Sequence, residues 1–419
     1  MIDTIIKKNS EHYFWIIGGG LLQYPLIQEV DDLGCKVIVS DRNPECICAK
    51  KATIFLPIDI FDVQKHLEEG FKLKASGIKI DGVLAAGIDA TVTMAVLARS
   101  LNLPGVDPEI AYITNNKNLF RETLQKLGYP VPKFRVISES DIGNIESIAS
   151  EIGYPLIIKN TDSSGSRGTK IFLKEDPEDM RLIAKTAIVA SRSKRALVEE
   201  CWMGEEFTVE TIFDNNGGFH PCFITDRFFD KSRGYAIELG LGHPTRLPPE
   251  IQQEMYDLVR NVSRDLGIKI GAAKADMILT PKGPRIIEMT VRLSGGFDCQ
   301  YLVPATTGKN VMRAAILTAL GKPFPESLLV DKKHRVGRTA SIWPEPGKIV
   351  RISGVEDALK IPGVEHIFFR YNVGDTIEPY MDCTRRVCFI IVTGRDAPDA
   401  EKTMKIAIGK IQIDIKRER

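Results

Sequence analysis

Gly271–Arg292, GAAKADMILTPKGPRIIEMTVR, reads as two strands joined at Thr280-Pro281-Lys282-Gly283, where proline and glycine suit a tight turn. With those four residues as the turn, paired positions sum to about 563 or 564, and Asp276 falls opposite Glu288. Side chains alternate along a strand. Lys274, Asp276, Glu288, Thr290 and Arg292 are therefore expected on one face, and Ala275, Met277, Leu279, Ile287, Met289 and Val291 on an apolar one. Two acids set opposite each other repel and call for a cation. A hard divalent ion such as Mg²⁺, which takes oxygen ligands and bridges to phosphate, suits the pair, with Mn²⁺ as a substitute. A solvated edge hairpin neutralised by Lys274 and Arg292 is the other reading.

The surrounding chain of 419 residues is too long for one ordinary core, and its size suggests about two to four domains. With 43% hydrophobic and 26% charged residues and a net charge of +1, nothing in it advertises a nucleic-acid surface. The start, MIDTIIKKNSEHYFW, lacks the apolar run of a signal peptide, and no stretch approaches the ~18 apolar residues of a membrane span. Neither nucleic acid nor membrane is an expected partner. Cysteines at 35, 46, 48, 201, 222, 299, 383 and 388 form no CxxC pair, and the histidines are isolated. Reduced thiols in the cytoplasm are the expectation, and a His/Cys zinc site is not.

Before the hairpin, YFWIIGGG (13–20) reads as a buried strand entering a glycine turn, followed by a helix and the strand KVIVS (36–40). ATIFLPID, DGVLAAG and a helix from Asp89 to Leu101 continue the alternation, which implies an α/β Rossmann-like parallel sheet over residues 1–110. The glycines are not spaced as GxGxxG, so Gly18–Gly20 read as structural. In ITNNKNLFRETLQKLG, Thr114 or Asn115 is placed to cap a helix, with Lys117 in its first turn. The helix dipole disfavours a cation there, and a nearby anion would explain it better than a plain surface lysine.

From Tyr154 to Phe172 a strand ending in Lys159 enters the loop Asp162-Ser163-Ser164-Gly165-Ser166-Arg167-Gly168, and TKIF resumes as a strand. GK[ST] is absent, so this is no Walker loop. A small-residue hairpin tip either folds over a triphosphate with its backbone N–H groups or is a flexible surface loop; the adjoining lysine favours phosphate. In ALVEECWMGEEFTVETIF, Glu199 and Glu206 flank a polar break between two strands, where freed backbone groups suit an adenine edge.

Lys117, Lys159 with its loop, Glu199 to Glu206, Asp276 and Glu288 stand in the order and spacing of the ATP-grasp ligases, which the chain resembles over about residues 13–325. That resemblance implies α/β architecture, α+β overall: a pre-ATP-grasp domain (1–110), an ATP-grasp fold of two α+β subdomains (111–325, lid about 130–200) and a β-rich cap (326–419). It implies that Lys117 and Lys159 hold ATP phosphates under the loop of Ser164, Gly165, Ser166 and Gly168. Glu199 with the backbone of Cys201 and Trp202 would form the adenine hinge, Glu206 the ribose contact, and Asp276 and Glu288 the magnesium ligands. Arg292 would steady an acyl phosphate or a carboxylate. Family members carry Glu-x-Asn where this chain has Glu288-Met289-Thr290, which weakens the second metal position. Residues 224–248 are similar to an L-amino-acid ligase segment with Glu238, His243 and Pro244, although an isolated His243 is also an ordinary packing residue. The implied reaction joins a small carboxylate to an amine through an acyl phosphate in a homodimer. Bicarbonate-using carboxylation or carbamoyl phosphate chemistry, and a nucleotide-binding module with little turnover, are the alternatives.

Overall fold

Four strands open the chain, β1 (His12–Ile17), β2 (Lys36–Ser40), β3 (Ile54–Leu56) and β4 (Lys79–Ala85), and pair in parallel in the order β3-β2-β1-β4. The computed structural model describes residues 11–417, except 164, 177, 178, 233 and 381. Phe14, Trp15, Ile16 and Ile17 are fully buried, as a continuous apolar run must be in a parallel sheet covered by helices. One covering helix, Val311–Ala319, returns from much later in the chain and packs on β4 and on the helix Tyr24–Asp32. The glycine turn after β1 is used structurally: the Gly19 N–H donates to Asp41 and the Gly20 N–H to Gln23, each at 2.9 Å.

A second sheet contains β5 (Phe134–Ile137), β6 (Leu156–Asn160), β7 (Lys170–Phe172) and β8 (Ala196–Glu200), antiparallel in the order β5-β8-β6-β7. Alternation along β6 sends Leu156 and Ile158 into a core with the helices Ile145–Ile152 and Met180–Ala190. Ile157 and Lys159 are left for the other face.

The largest sheet has eight strands. Its first five are β9 (Glu205–Phe213), β10 (Phe219–Asp230), β11 (Ile237–His243), β12 (Gly271–Thr280) and β13 (Gly283–Thr290). After them come β14 (Val336–Ile342), β15 (Gly347–Ser353), β16 (Val364–Phe369), β17 (Thr376–Ile377), β18 (Cys388–Gly394) and β19 (Gln412–Lys416). The order β13-β12-β9-β10-β11-β14-β18-β16 carries the sheet straight into the C-terminal region, while β17-β15-β19 form a small sheet of their own. Asp276 pairs with Glu288, and Lys274 with Thr290. Nearer the turn Met277 pairs with Ile286 and Thr280 with Gly283, so a bulge at Ile287 separates two registers. That bulge corrects one expectation: Ile286 and Met289 enter the core, whereas Ile287 turns to the face of Glu288.

The first sheet docks on the end of this hairpin. Ala86 bridges Leu293, and the Gly87 N–H donates to the Leu293 carbonyl at 3.0 Å. Gly87 has φ +64°, and a Cβ there would lie 2.5 Å from Leu22 Cδ1 and 3.2 Å from Gly295 Cα. Gly87→Val is expected to cost about 2 kcal/mol or more, read as a lowered urea midpoint; an unchanged midpoint would show that this junction tolerates a side chain.

Candidate functional site

The second sheet, the eight-stranded sheet and the loops that follow the strands of the first sheet line one cleft of about 1180 Å³, above the ~300–1,000 Å³ of a usual small-molecule site. It has room for a ligand of nucleotide size and a second molecule. Ile157 and Ile171 line it from the second sheet, and Ile278 and Ile287 from the eight-stranded one, which suits an aromatic ring. Trp202 lies at the break between β8 and β9. Its N–H meets no backbone acceptor among the described residues, whereas the expected Cys201 N–H is already bonded to the Pro155 carbonyl at 2.9 Å.

Lys159, only 5% exposed, is paired with Glu199, which also accepts from Arg121 Nε at 3.0 Å. Burial pushes Glu199 up, but Arg121 and Lys159 outweigh it and hold the carboxyl down at about 2. Burial pulls Lys159 down, and Glu199 opposes that. Glu199 lines the cleft with Cys201 and Trp202, and its carboxylate carries two buried cations. Arg121 was missed, although it stands four residues after Lys117 on the same helical face.

Lys117 opens the helix Lys117–Lys126, capped by Asn116 and not by Thr114 or Asn115; Thr114 instead ends the short helix Pro108–Thr114. Lys117 Nζ donates to the Ser163 carbonyl at 2.8 Å and lies 3.7 Å from Glu288, joining the loop to the hairpin. Asp162 pins the base of the loop by accepting from the Arg192 and Ser193 N–H groups, each at 2.8 Å. Gly165, Ser166 and Gly168 all take positive φ. The Gly165 carbonyl accepts from the Cys383 N–H at 3.0 Å, so the loop tip rests on the C-terminal region. Ser164 lies outside the described residues.

Asp276 accepts from Thr208 at 3.0 Å and is paired with Arg227 at 3.0 Å and Lys274 at 2.5 Å. Burial pushes Asp276 up, and Arg227 and Lys274 bring it down to about 2, so it is ionised. Arg227, unnoticed in the sequence, also holds Glu238 at 2.7 Å and Glu206 at 3.8 Å. Glu206 further pairs with Lys231 at 2.6 Å, and Glu238 with Arg386 at 3.2 Å. Arg292 reaches Asp89, in the connection after β4, at 3.7 Å, with its Nε buried and unpaired.

Two expected site residues lie elsewhere. Thr290 is buried and does not line the cleft, whereas its cross-strand partner Lys274 does. His243 is packed behind the sheet, bonded to Thr306 Oγ1 at 2.7 Å and edge-on to Phe223; burial lowers it to about 4. It is a packing residue.

Asp276 and Glu288 are hard oxygen donors, and no group of three or more His, Cys, Asp or Glu able to hold a metal occurs among the described residues. Two carboxylates fit Mg²⁺, which takes one or two from a protein and completes its shell with water and phosphate oxygens. They do not make a self-sufficient metal cage. No helix among the described residues is long and apolar enough to cross a membrane.

Residues 152–300 match the ATP-grasp domain family, and residues 341–416 match L-amino acid ligase C-terminal domain 2. An uncharacterized protein of Sinorhizobium fredii is 27% identical over 348 residues, covering 80% of this chain and 68% of its own length. Carnosine synthase 1 of Gallus gallus is 24% identical over 365 residues, covering 82% of this chain; the chain spans only 39% of that relative. The crystal structure of L-amino acid ligase from Bacillus licheniformis shares the fold, with a TM-score of 0.80 at 22% identity over 98% of this chain and 100% of that one.

Removing Glu199 leaves two buried cations short of a partner, so Glu199→Gln is expected to cost about 3–5 kcal/mol in denaturant unfolding at pH 7. A carboxyl held down in the folded state contributes stability that is present above its ordinary value of 4.5 and is lost as pH falls to about 2. The variant should accordingly lose less stability than wild type across that window; identical pH dependence would mean the buried pair does not form.

Proposed function

We propose that the chain, whose residues 152–300 match the ATP-grasp domain family and whose residues 341–416 match L-amino acid ligase C-terminal domain 2, is an ATP- and Mg²⁺-dependent carboxylate–amine ligase. Its reaction activates a small carboxylate such as an amino acid as an acyl phosphate, and an amine then displaces phosphate to leave an amide and ADP. The observation that carries this reading is Asp276 paired with Glu288 on a cleft wall shared with Lys117 and Lys159. The likeness to a carnosine synthase and an L-amino acid ligase supports amino acids as substrates.

The apolar side chains of Ile157, Ile171, Ile278 and Ile287 would hold the adenine, with the Trp202 N–H at its edge and Glu206 toward the ribose. Lys117 and Lys159 would hold phosphate oxygens under Gly165, Ser166 and Gly168, with Lys159 kept in place by Glu199. Asp276 and Glu288 would hold the metal, whose charge would offset that of the transferring phosphoryl group. Arg292, tethered by Asp89, would steady the substrate carboxylate and the acyl phosphate made from it. The residues named here position and neutralise; activating the acid needs no serine or cysteine nucleophile.

Screening amino acids in pairs for ADP release, with mass spectrometry of products, should reveal amide formation in the wild type. Glu288→Gln is expected to lower ADP release by about 10²-fold or more, and Lys159→Ala to weaken nucleotide binding in a titration. Normal turnover by the Glu288 variant would remove the hairpin from the mechanism.

A further inference from the structure

An ammonium has no lone pair with which to attack an acyl phosphate, so amide formation needs a group in the cleft to take a proton. No histidine among the described residues lines it. The buried carboxylates that do line it are mostly occupied by cations: Glu199 by Arg121 and Lys159, Glu238 by Arg227 and Arg386, Asp276 by Arg227 and Lys274. Glu206 is held by Lys231, and Asp89 by Arg292.

Asp298 differs from all of these. It lines the cleft at the start of the helical turn Asp298–Leu302, just after Phe297, whose φ of 69° reverses the chain. Its Oδ1 accepts from Ser294 Oγ at 2.5 Å and from the Cys299 N–H at 2.7 Å. Its Oδ2 accepts no hydrogen bond among the described residues, and no cation is paired with it there. Neutral donors orient this carboxylate while leaving its charge and one oxygen available.

We propose that Asp298 is the general base of the amide-forming step, with the substrate ammonium held at Oδ2. The proposal rests on the carboxylate–amine ligase reading. One ammonium proton passes to Oδ2, and the nitrogen lone pair forms the new C–N bond. The C–O bond to phosphate breaks with its electron pair going to phosphate, which carries away the second proton that nitrogen sheds.

The surroundings suit that task. Burial lifts Asp298 to about 6, with the charge of Glu238 adding to the rise and the Ser294 and Cys299 hydrogen bonds and Lys274 opposing it. Glu210, which takes the Ser294 N–H at 2.8 Å, is pushed up to about 8 by burial and by Asp298. Near pH 7 Glu210 is therefore protonated and Asp298 carries the negative charge, the division of labour expected when neighbouring acids are driven apart. Arg292 is also on this side, close enough to Cys299 to act on its thiol.

Hydroxylamine, largely uncharged at neutral pH, traps acyl phosphates without needing a base. The full chain with Mg-ATP is assayed against the twenty L-amino acids, singly with hydroxylamine for hydroxamate and in pairs for dipeptide. Asp298→Asn should form hydroxamate within about threefold of wild type while dipeptide formation falls by about 10²-fold or more. Ser294→Ala, which removes a donor to the carboxylate, should shift the rising limb of the dipeptide pH profile upward. Dipeptide formation at the wild-type rate in Asp298→Asn, or an equal fall in both products, overturns the assignment, as does an unmoved limb in Ser294→Ala. Wild-type protein that forms hydroxamate with none of the acids overturns the ligase reading instead, and this inference with it.

Discussion

Arg227 holds three carboxylates from neighbouring strands of one sheet: Asp276 at 3.0 Å, Glu238 at 2.7 Å and Glu206 at 3.8 Å. Packed without a cation, acids at this depth would repel and take up protons. The guanidinium is suited to the position because its planar fork addresses several oxygens at once and stays charged when buried. Burial pushes Asp276 and Glu238 up, yet both end below the ordinary carboxylate range because Arg227 outweighs that penalty, with Lys274 helping at Asp276 and Arg386 at Glu238. An ionised wall is what a divalent ion and a phosphate tail require of a protein surface, and Arg227 keeps it ionised before either arrives.

Around that wall the other parts act as restraints. Asn116 and Thr161 set the position of Lys117, Asp162 pins the glycine loop, and Cys383 meets the loop tip through its backbone N–H. The C-terminal strands continue the sheet through the pairing of β11 with β14 instead of sitting on it as a separate cover. Arg386 and Phe389 consequently reach the cleft from the same layer as Asp276.

The hairpin was legible because its turn chemistry and its period of two are local signals: Pro281 and Gly283 located the bend, and the register followed. The bulge at Ile287 was not, since one extra residue leaves the composition of a strand unchanged and alters only which face it addresses. The parallel first sheet announced itself through runs such as Phe14–Ile17, which are apolar at every position. The ion pairs of Glu199 were not legible because its partners, Arg121 and Lys159, lie 78 and 40 residues away, and sequence spacing does not report a cation brought in by another element. Arg227 escaped notice for the same reason. His243 and Thr290 had chemically suitable side chains on suitable strands, but neither is delivered to the cleft.

The central claim is that Asp276 and Glu288 form half of a metal site that a nucleotide tail completes. Binding of Mn²⁺ followed by electron paramagnetic resonance, with and without a non-hydrolysable ATP analogue, tests it most directly. The account predicts weak Mn²⁺ binding by the protein alone, at least about tenfold tighter binding with the analogue, and loss of that gain when Asp276 is changed to Asn. Tight binding without nucleotide, or an enhancement that survives the Asp276 substitution, would contradict it.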